Sequence, residues 1–134
     1  MIQRIDHVGI AVPSIDEALR LYESLGLELE GIEEVPSEGV RVAMIRCGES
    51  RIELLEATRE DSPVARFLAR RGGGLHHICL STSDIRADQE NLEERGYRLL
   101  RAEPTRGAGG CWVQFIHPAS AAGVLLELSQ EDAC

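Results

Sequence analysis

From Ile5 to Val12 the chain reads IDHVGIAV, apolar residues alternating with polar or small ones. A period of two with β-branched residues predicts a strand. The period then changes. Ile15, Ala18, Leu19 and Tyr22 recur at helical spacing, Ser14 stands before them as a candidate N-cap, and Gly26 follows as a stop. A helix running to about Leu25 is predicted. Alternating or β-rich runs predict three more strands, over about Leu27 to Glu34, Val40 to Cys47 and Arg51 to Ala57.

The same series returns. At a shift of 70 residues, Ile5 to Leu29 falls on Leu75 to Leu99 without a gap, His7 meeting His77, Ile15 meeting Ile85 and Gly26 meeting Gly96. GVRVAMI (Gly39 to Ile45) meets GCWVQFI (Gly110 to Ile116) at a shift of 71, and IELLEA meets LLELSQ at 74, which sets Glu53 on Glu127. Insertions of one and three residues in connecting loops account for the drift. The second half is therefore predicted as a strand from Leu75, a helix from Asp84 to about Arg95, and strands near Tyr97, Cys111 and Val124. Between the halves, DSPVARFLARRGGG predicts a short helix capped by Asp61 or Ser62, with Pro63 in its first turn and Gly72 to Gly74 as a hinge. The expected organisation is one domain over 1–134: a βαβββ module over about 1–60, a linker helix over about 61–74 and a second module over about 75–130.

Strand alternation assigns faces. Val8, Ile10 and Val12 point toward the helix, and His7 points away; Ile52 and Leu54 lie on the core side and Glu53 does not. In the second module Ile78, Leu80, Leu126 and Leu128 take the core side, while His77 and Glu127 take the other. Each module thus offers one His and one Glu on its non-helical face. Under pseudo-twofold symmetry, His7, Glu53, His77 and Glu127 make a mixed N/O ligand set suited to Zn²⁺, Co²⁺, Ni²⁺, Mn²⁺ or Fe²⁺.

Charge and composition narrow the chemistry. Net charge is −9, which argues against nucleic acid as a partner, since duplex binding needs a basic face. All 14 Lys-or-Arg positions are Arg, so no Schiff base or Lys base is available. No apolar run approaches the ~20 residues of a membrane span, and no leader pattern opens the chain, so no membrane partner and a cytoplasmic location are expected. Cys47, Cys79, Cys111 and Cys134 lack CxxC spacing and are expected as reduced thiols.

DHVGIAV, the IELLE strand, DSPVARFL, GLHHICL, GAGG, FIHP and GVLLEL stand here in the order and spacing found in methylmalonyl-CoA epimerases. Over about Ile5 to Leu128 the chain resembles that family, which belongs with glyoxalase I to the vicinal oxygen chelate superfamily. The resemblance implies an α+β fold in which the two βαβββ modules form a curved mixed sheet around a metal site. It implies the same four ligands and an acyl-CoA substrate, inverted at C2 of methylmalonyl-CoA through an enolate stabilised by the metal. Glu127 is expected as one base. A carboxylate that some family members carry on the third strand is Val42 here, so Glu53 is expected as the second base, with water or His117 next in line. A Lys that often follows the HP pair is Ala119. Arg41, Arg46, Arg70, Arg71 and Arg106 are candidates for the CoA phosphates, and the Gly107–Gly110 loop could approach a ligand through its backbone. A homodimer is the expected assembly. The rival readings are a glyoxalase-I-like lyase or another metal-dependent enzyme of that superfamily, and a metal-free binding module of the same fold.

Overall fold

Ser14 and Ser62 start their helices as side-chain caps, accepting the N–H groups of Glu17 and Ala65 at 3.3 and 3.0 Å. Asp84 does the same for Ala87 at 3.1 Å. The structure is a computed structural model and describes residues 1–131. In chain order the elements are β1 (Ile2–Ala11), α1 (Ile15–Ser24), β2 (Leu29–Val35), β3 (Val40–Cys47), β4 (Ser50–Ala57), α2 (Pro63–Arg71), β5 (Gly74–Thr82), α3 (Ile85–Glu94), β6 (Thr105–Arg106), β7 (Trp112–Ile116) and β8 (Leu126–Gln130). No helix among the described residues is long and apolar enough to cross a membrane. Two compact units emerge, one of residues 7–76 and one joining residues 1–6 to the chain from His77 onward.

In the first unit the strand order is β2-β3-β4-β1. β1 and β4 run parallel and the other pairs antiparallel. The α1 side is packed as the pattern predicts. Val12, Ala43, Ile45 and Leu54 meet Ile15 of α1, with Ile10, Ala18, Leu19, Tyr22 and Ile52 around them. Ile15, Ile45 and Leu54 are fully buried, each worth about 1.5–3 kcal/mol of apolar transfer. The opposite face, which the pattern marks only as turned away from α1, is also covered. Its far end, Ala11, Val42 and Leu55, is covered by Val64 and Phe67 of α2.

In the second unit the order is β5-β8-β7-β6, again with the outer strands antiparallel and β5 parallel to β8. The repeat holds at the level of register. Gly9 opposite Glu53 becomes Cys79 opposite Glu127, and Met44 opposite Glu53 becomes Phe115 opposite Glu127. Each module also latches its last strand to its first helix. The Ile15 N–H donates to Glu56 Oε1 at 2.9 Å, and the Ile85 N–H donates to Gln130 Oε1 at 2.8 Å.

One expected element differs. The strand predicted near Tyr97 is reduced to a single bridge, Leu99 to Ile116, before the short β6. The reason is a buried amide pair where the first module has Leu19 and Ala43. Gln114 Nε2 donates to Gln89 Oε1 at 2.8 Å and to the Arg101 carbonyl at 2.9 Å, and Gln89 Nε2 donates to the Ala102 carbonyl at 2.7 Å. These bonds tie residue 101 to β7 and residue 102 to α3, so their carbonyls are satisfied without a ladder. Gln114 is fully buried and also accepts the Phe115 N–H at 2.9 Å. Gln114→Ala is expected to lower the unfolding free energy by about 3 kcal/mol, because several buried groups lose their partner at once. Urea denaturation checks this, and a change under about 1 kcal/mol would mean the segment is held by other contacts.

Candidate functional site

Parallel pairing decides where the chemistry lies. With Gly9 opposite Glu53, alternation puts His7, Glu53, Ala11 and Leu55 on one face of the first unit. His7 and Glu53 are 7% and 5% exposed, and His7 Nδ1 lies 3.3 Å from Glu53 Oε2. In the second unit His77 Nε2 lies 3.1 Å from Glu127 Oε1, with both residues buried. The structure therefore pairs each predicted His with the predicted Glu of its own module. The ring nitrogen differs, Nδ1 in one and Nε2 in the other, so the imidazoles adopt different orientations.

The donor set fits a first-row divalent cation. Two ligands each about 2.1 Å from one ion lie roughly 3.0–3.4 Å apart at octahedral to tetrahedral angles. Both His–Glu separations match that span, and both pairs combine imidazole nitrogen with carboxylate oxygen. Burial favours such use, since a carboxylate in a dry setting needs a cation or strong donors.

The surroundings of the two pairs are unequal. Beyond Glu53 the face is hydrocarbon: Val42 is buried with Leu55, Val64 and Phe67, in the place where some relatives were expected to carry a base. Beyond Glu127 it is polar: Ser81 and Ser129 stand opposite each other, and Ser81 Oγ donates to Gln3 Oε1 at 3.3 Å. Cys79, opposite Glu127, is fully buried.

The remaining sequence candidates separate clearly. His117 is a turn residue whose Nδ1 accepts the Ala119 N–H at 3.0 Å. Arg41 pairs with Glu56 at 3.1 Å and Arg46 with Glu30 at 3.2 Å. Arg106 lies over the Trp112 ring at 3.9 Å and donates to the Gly110 carbonyl, so it braces the glycine loop. Gly107 packs closely in that loop, since a Cβ there would press on the Val113 methyls at 3.0 and 3.1 Å. Arg71 stacks over Phe67 of its own helix at 5.5 Å, and Arg70 is exposed in the last turn of α2. Sequence reasoning missed two arginines. Arg51 is opposite His7 and 3.7 Å from Glu53, and Arg101 lies over Phe115, the residue opposite Glu127, at 5.1 Å. The signal for Arg51 was present, since it lies two residues from Glu53 on the same face; nothing local marked Arg101.

The expectation of reduced thiols holds for Cys47 and Cys79 and fails at Cys111, which is disulfide-bonded. Cys134 lies outside the described residues.

Residues 6–115 match the family described as the glyoxalase/bleomycin resistance protein/dioxygenase superfamily. Over 133 residues the chain is 43% identical to the ethylmalonyl-CoA/methylmalonyl-CoA epimerase of Cereibacter sphaeroides, covering 97% of this chain and 99% of that protein. A variant of the Streptomyces coelicolor methylmalonyl-CoA epimerase in complex with 2-nitronate-propionyl-CoA is similar with a TM-score of 0.94, at 40% identity over 99% of this chain and 97% of that one. A methylmalonyl-CoA epimerase in complex with methylmalonyl-CoA and NH₄⁺ gives the same TM-score of 0.94 at 40% identity, with 99% and 97% covered. The fold expected from the sequence is the fold of these structures.

Burial of Cys79 beside Glu127 has a direct test. In native protein iodoacetamide is expected to label the exposed Cys47 and spare Cys79, which reacts only in denaturant; peptide mapping by mass spectrometry distinguishes them. Rapid native labelling of Cys79 would mean that the face holding Glu127 opens to solvent.

Proposed function

The chain belongs to the methylmalonyl-CoA epimerase family of the glyoxalase/bleomycin resistance protein/dioxygenase superfamily, and from that premise we propose that it inverts C2 of methylmalonyl-CoA with one divalent metal held by His7, Glu53, His77 and Glu127. It is an isomerase of that family. The observation that carries the metal reading is the buried His–Glu pair, present once in each module at the same register with ligand-like separations. When bound, the metal supplies Lewis-acid stabilisation of charge developing on the thioester oxygen.

The residues themselves do the proton work. The C2 proton leaves toward one carboxylate, and a proton returns on the opposite face from another group. Glu127 and Glu53 are the proposed pair. Val42 supplies no third-strand base and is packed among apolar side chains. A carboxylate at 53 is more than ligation requires, since an amide oxygen can also bind a cation. His7 and His77 orient the two carboxylates by the contacts already described. A cytoplasmic homodimer is the proposed setting.

In D₂O each methylmalonyl-CoA epimer is expected to yield the other with deuterium at C2 and no further product. A chelator should abolish the reaction and a divalent ion restore it. Turnover of the methylglyoxal–glutathione hemithioacetal without such exchange would favour the lyase instead. Glu53→Gln is expected to keep its metal by elemental analysis and to slow epimerisation by roughly 10²–10⁴-fold. Undiminished epimerisation in that variant would remove Glu53 from acid–base work.

A further inference from the structure

The outer strand of the first unit has no counterpart in the second. β2 is the outermost strand of its sheet and bonds to β3 alone among the described strands. In the second unit the corresponding stretch is tied down instead, residue 101 to β7 and residue 102 to α3. An open strand edge presents a row of backbone donors and acceptors to any chain that can run alongside it. Here that edge spans Leu29–Val35. Apolar side chains accompany it. Register sets Leu29 opposite Ile45 and Ile32 opposite Ala43, which places both on the side of the sheet that carries α1. They are 36% and 44% exposed, and on the last turn of α1 Leu21 and Leu25 are 60% and 67% exposed. The fold does not demand leucine there. At the shift of 70 residues these two positions are Asn91 and Arg95, and Arg95 Nε donates to Asn91 Oδ1 at 3.0 Å. The second unit closes that surface with a polar pair, where the first turns leucines toward water.

Charge decides what can cover them. From Asp16 to Glu34 the chain has seven carboxylates and a single cation, Arg20. Arg46, on β3, balances one of them, Glu30, at 3.2 Å. Glu28, Glu30 and Glu34 are exposed along β2 and its approach. A second copy brought to this edge would set like charges against like, and each copy carries a net −9. A segment in which cations alternate with apolar residues meets both features, because alternation in an extended chain sends the two kinds of side chain to opposite faces.

We propose that the β2 edge docks an extended basic segment of a partner protein, which adds a strand to β2 with its apolar side chains toward Leu21, Leu25, Leu29 and Ile32 and its cations among the glutamates. Main-chain hydrogen bonds along β2 hold the segment, and the apolar side chains choose its face and register. The acidic row keeps the same edge closed to other copies of this chain. The apolar patch lies on the α1 side of the sheet and His7 and Glu53 on the other, so the docking is independent of the epimerase reading.

A short synthetic peptide of alternating valine and arginine, added to the whole protein and followed by calorimetry and amide hydrogen exchange, tests this. It is expected to bind and to slow exchange across Leu29–Val35. A peptide of alternating serine and arginine, equal in charge, should bind at least ~10-fold more weakly, and one of alternating valine and glutamate should not bind. Leu21→Asn combined with Leu25→Gln leaves the net charge unchanged. That variant should keep its far-UV circular dichroism and lose roughly 10-fold in affinity for the valine–arginine peptide. Equal affinity for the serine peptide, or no loss in the double variant, would reduce the contact to general attraction between a basic peptide and an acidic chain. Protection of β2 that needs no peptide and grows with protein concentration would make a second copy the occupant. Either result overturns the proposal, as does a valine–arginine peptide that fails to bind.

Discussion

Everything chemical in this protein depends on the register between the first and last strand of each module. A slip of one residue in a sheet turns every side chain to the other face. With Gly9 opposite Glu53 and Cys79 opposite Glu127, each glutamate is turned to the side of its own histidine and away from the helix. The apolar residues that alternate with them hold that register. Ile10, Ile52 and Leu54 are committed to the α1 side in the first unit, so Glu53 has no alternative orientation that keeps the core filled.

Duplication makes the pairs alike, and the substitutions around them make the halves chemically different. The first unit backs its pair with hydrocarbon from α2, and adds Arg51 at the near edge. The second unit lines the corresponding strands with Ser81, Ser129 and Cys79.

Periodicity and self-comparison were enough to expect the strands, the helices and all four proposed ligands, because two-residue alternation and the repeat are local properties of the string. What they could not supply were contacts made across the fold. The packing of Val64 and Phe67 onto Val42 and Leu55 follows from where the linker helix folds back, which no pattern in DSPVARFL encodes. The replacement of a strand near Tyr97 depends on two glutamines that look like ordinary helix and strand residues until both are found buried against each other. Cys111 is similar, since nothing in the spacing of the cysteines marks it as bonded. Arg51 could have been found by asking which residue shares the face of Glu53 but breaks the repeat.

The latch between closing strand and opening helix has a consequence for how such proteins diversify. Between β3 and β4 the chain turns within Cys47–Ser50, whereas between β7 and β8 it wanders through a one-turn 3₁₀ segment at Pro118–Ser120. The extra length leaves no trace in the pairing: Phe115 still meets Glu127 as Met44 meets Glu53. Clasped at Gln130 and Glu56, the terminal strands are indifferent to the size of the bend that precedes them. Lineages could therefore lengthen or recharge that bend while the paired His and Glu beneath it keep their register.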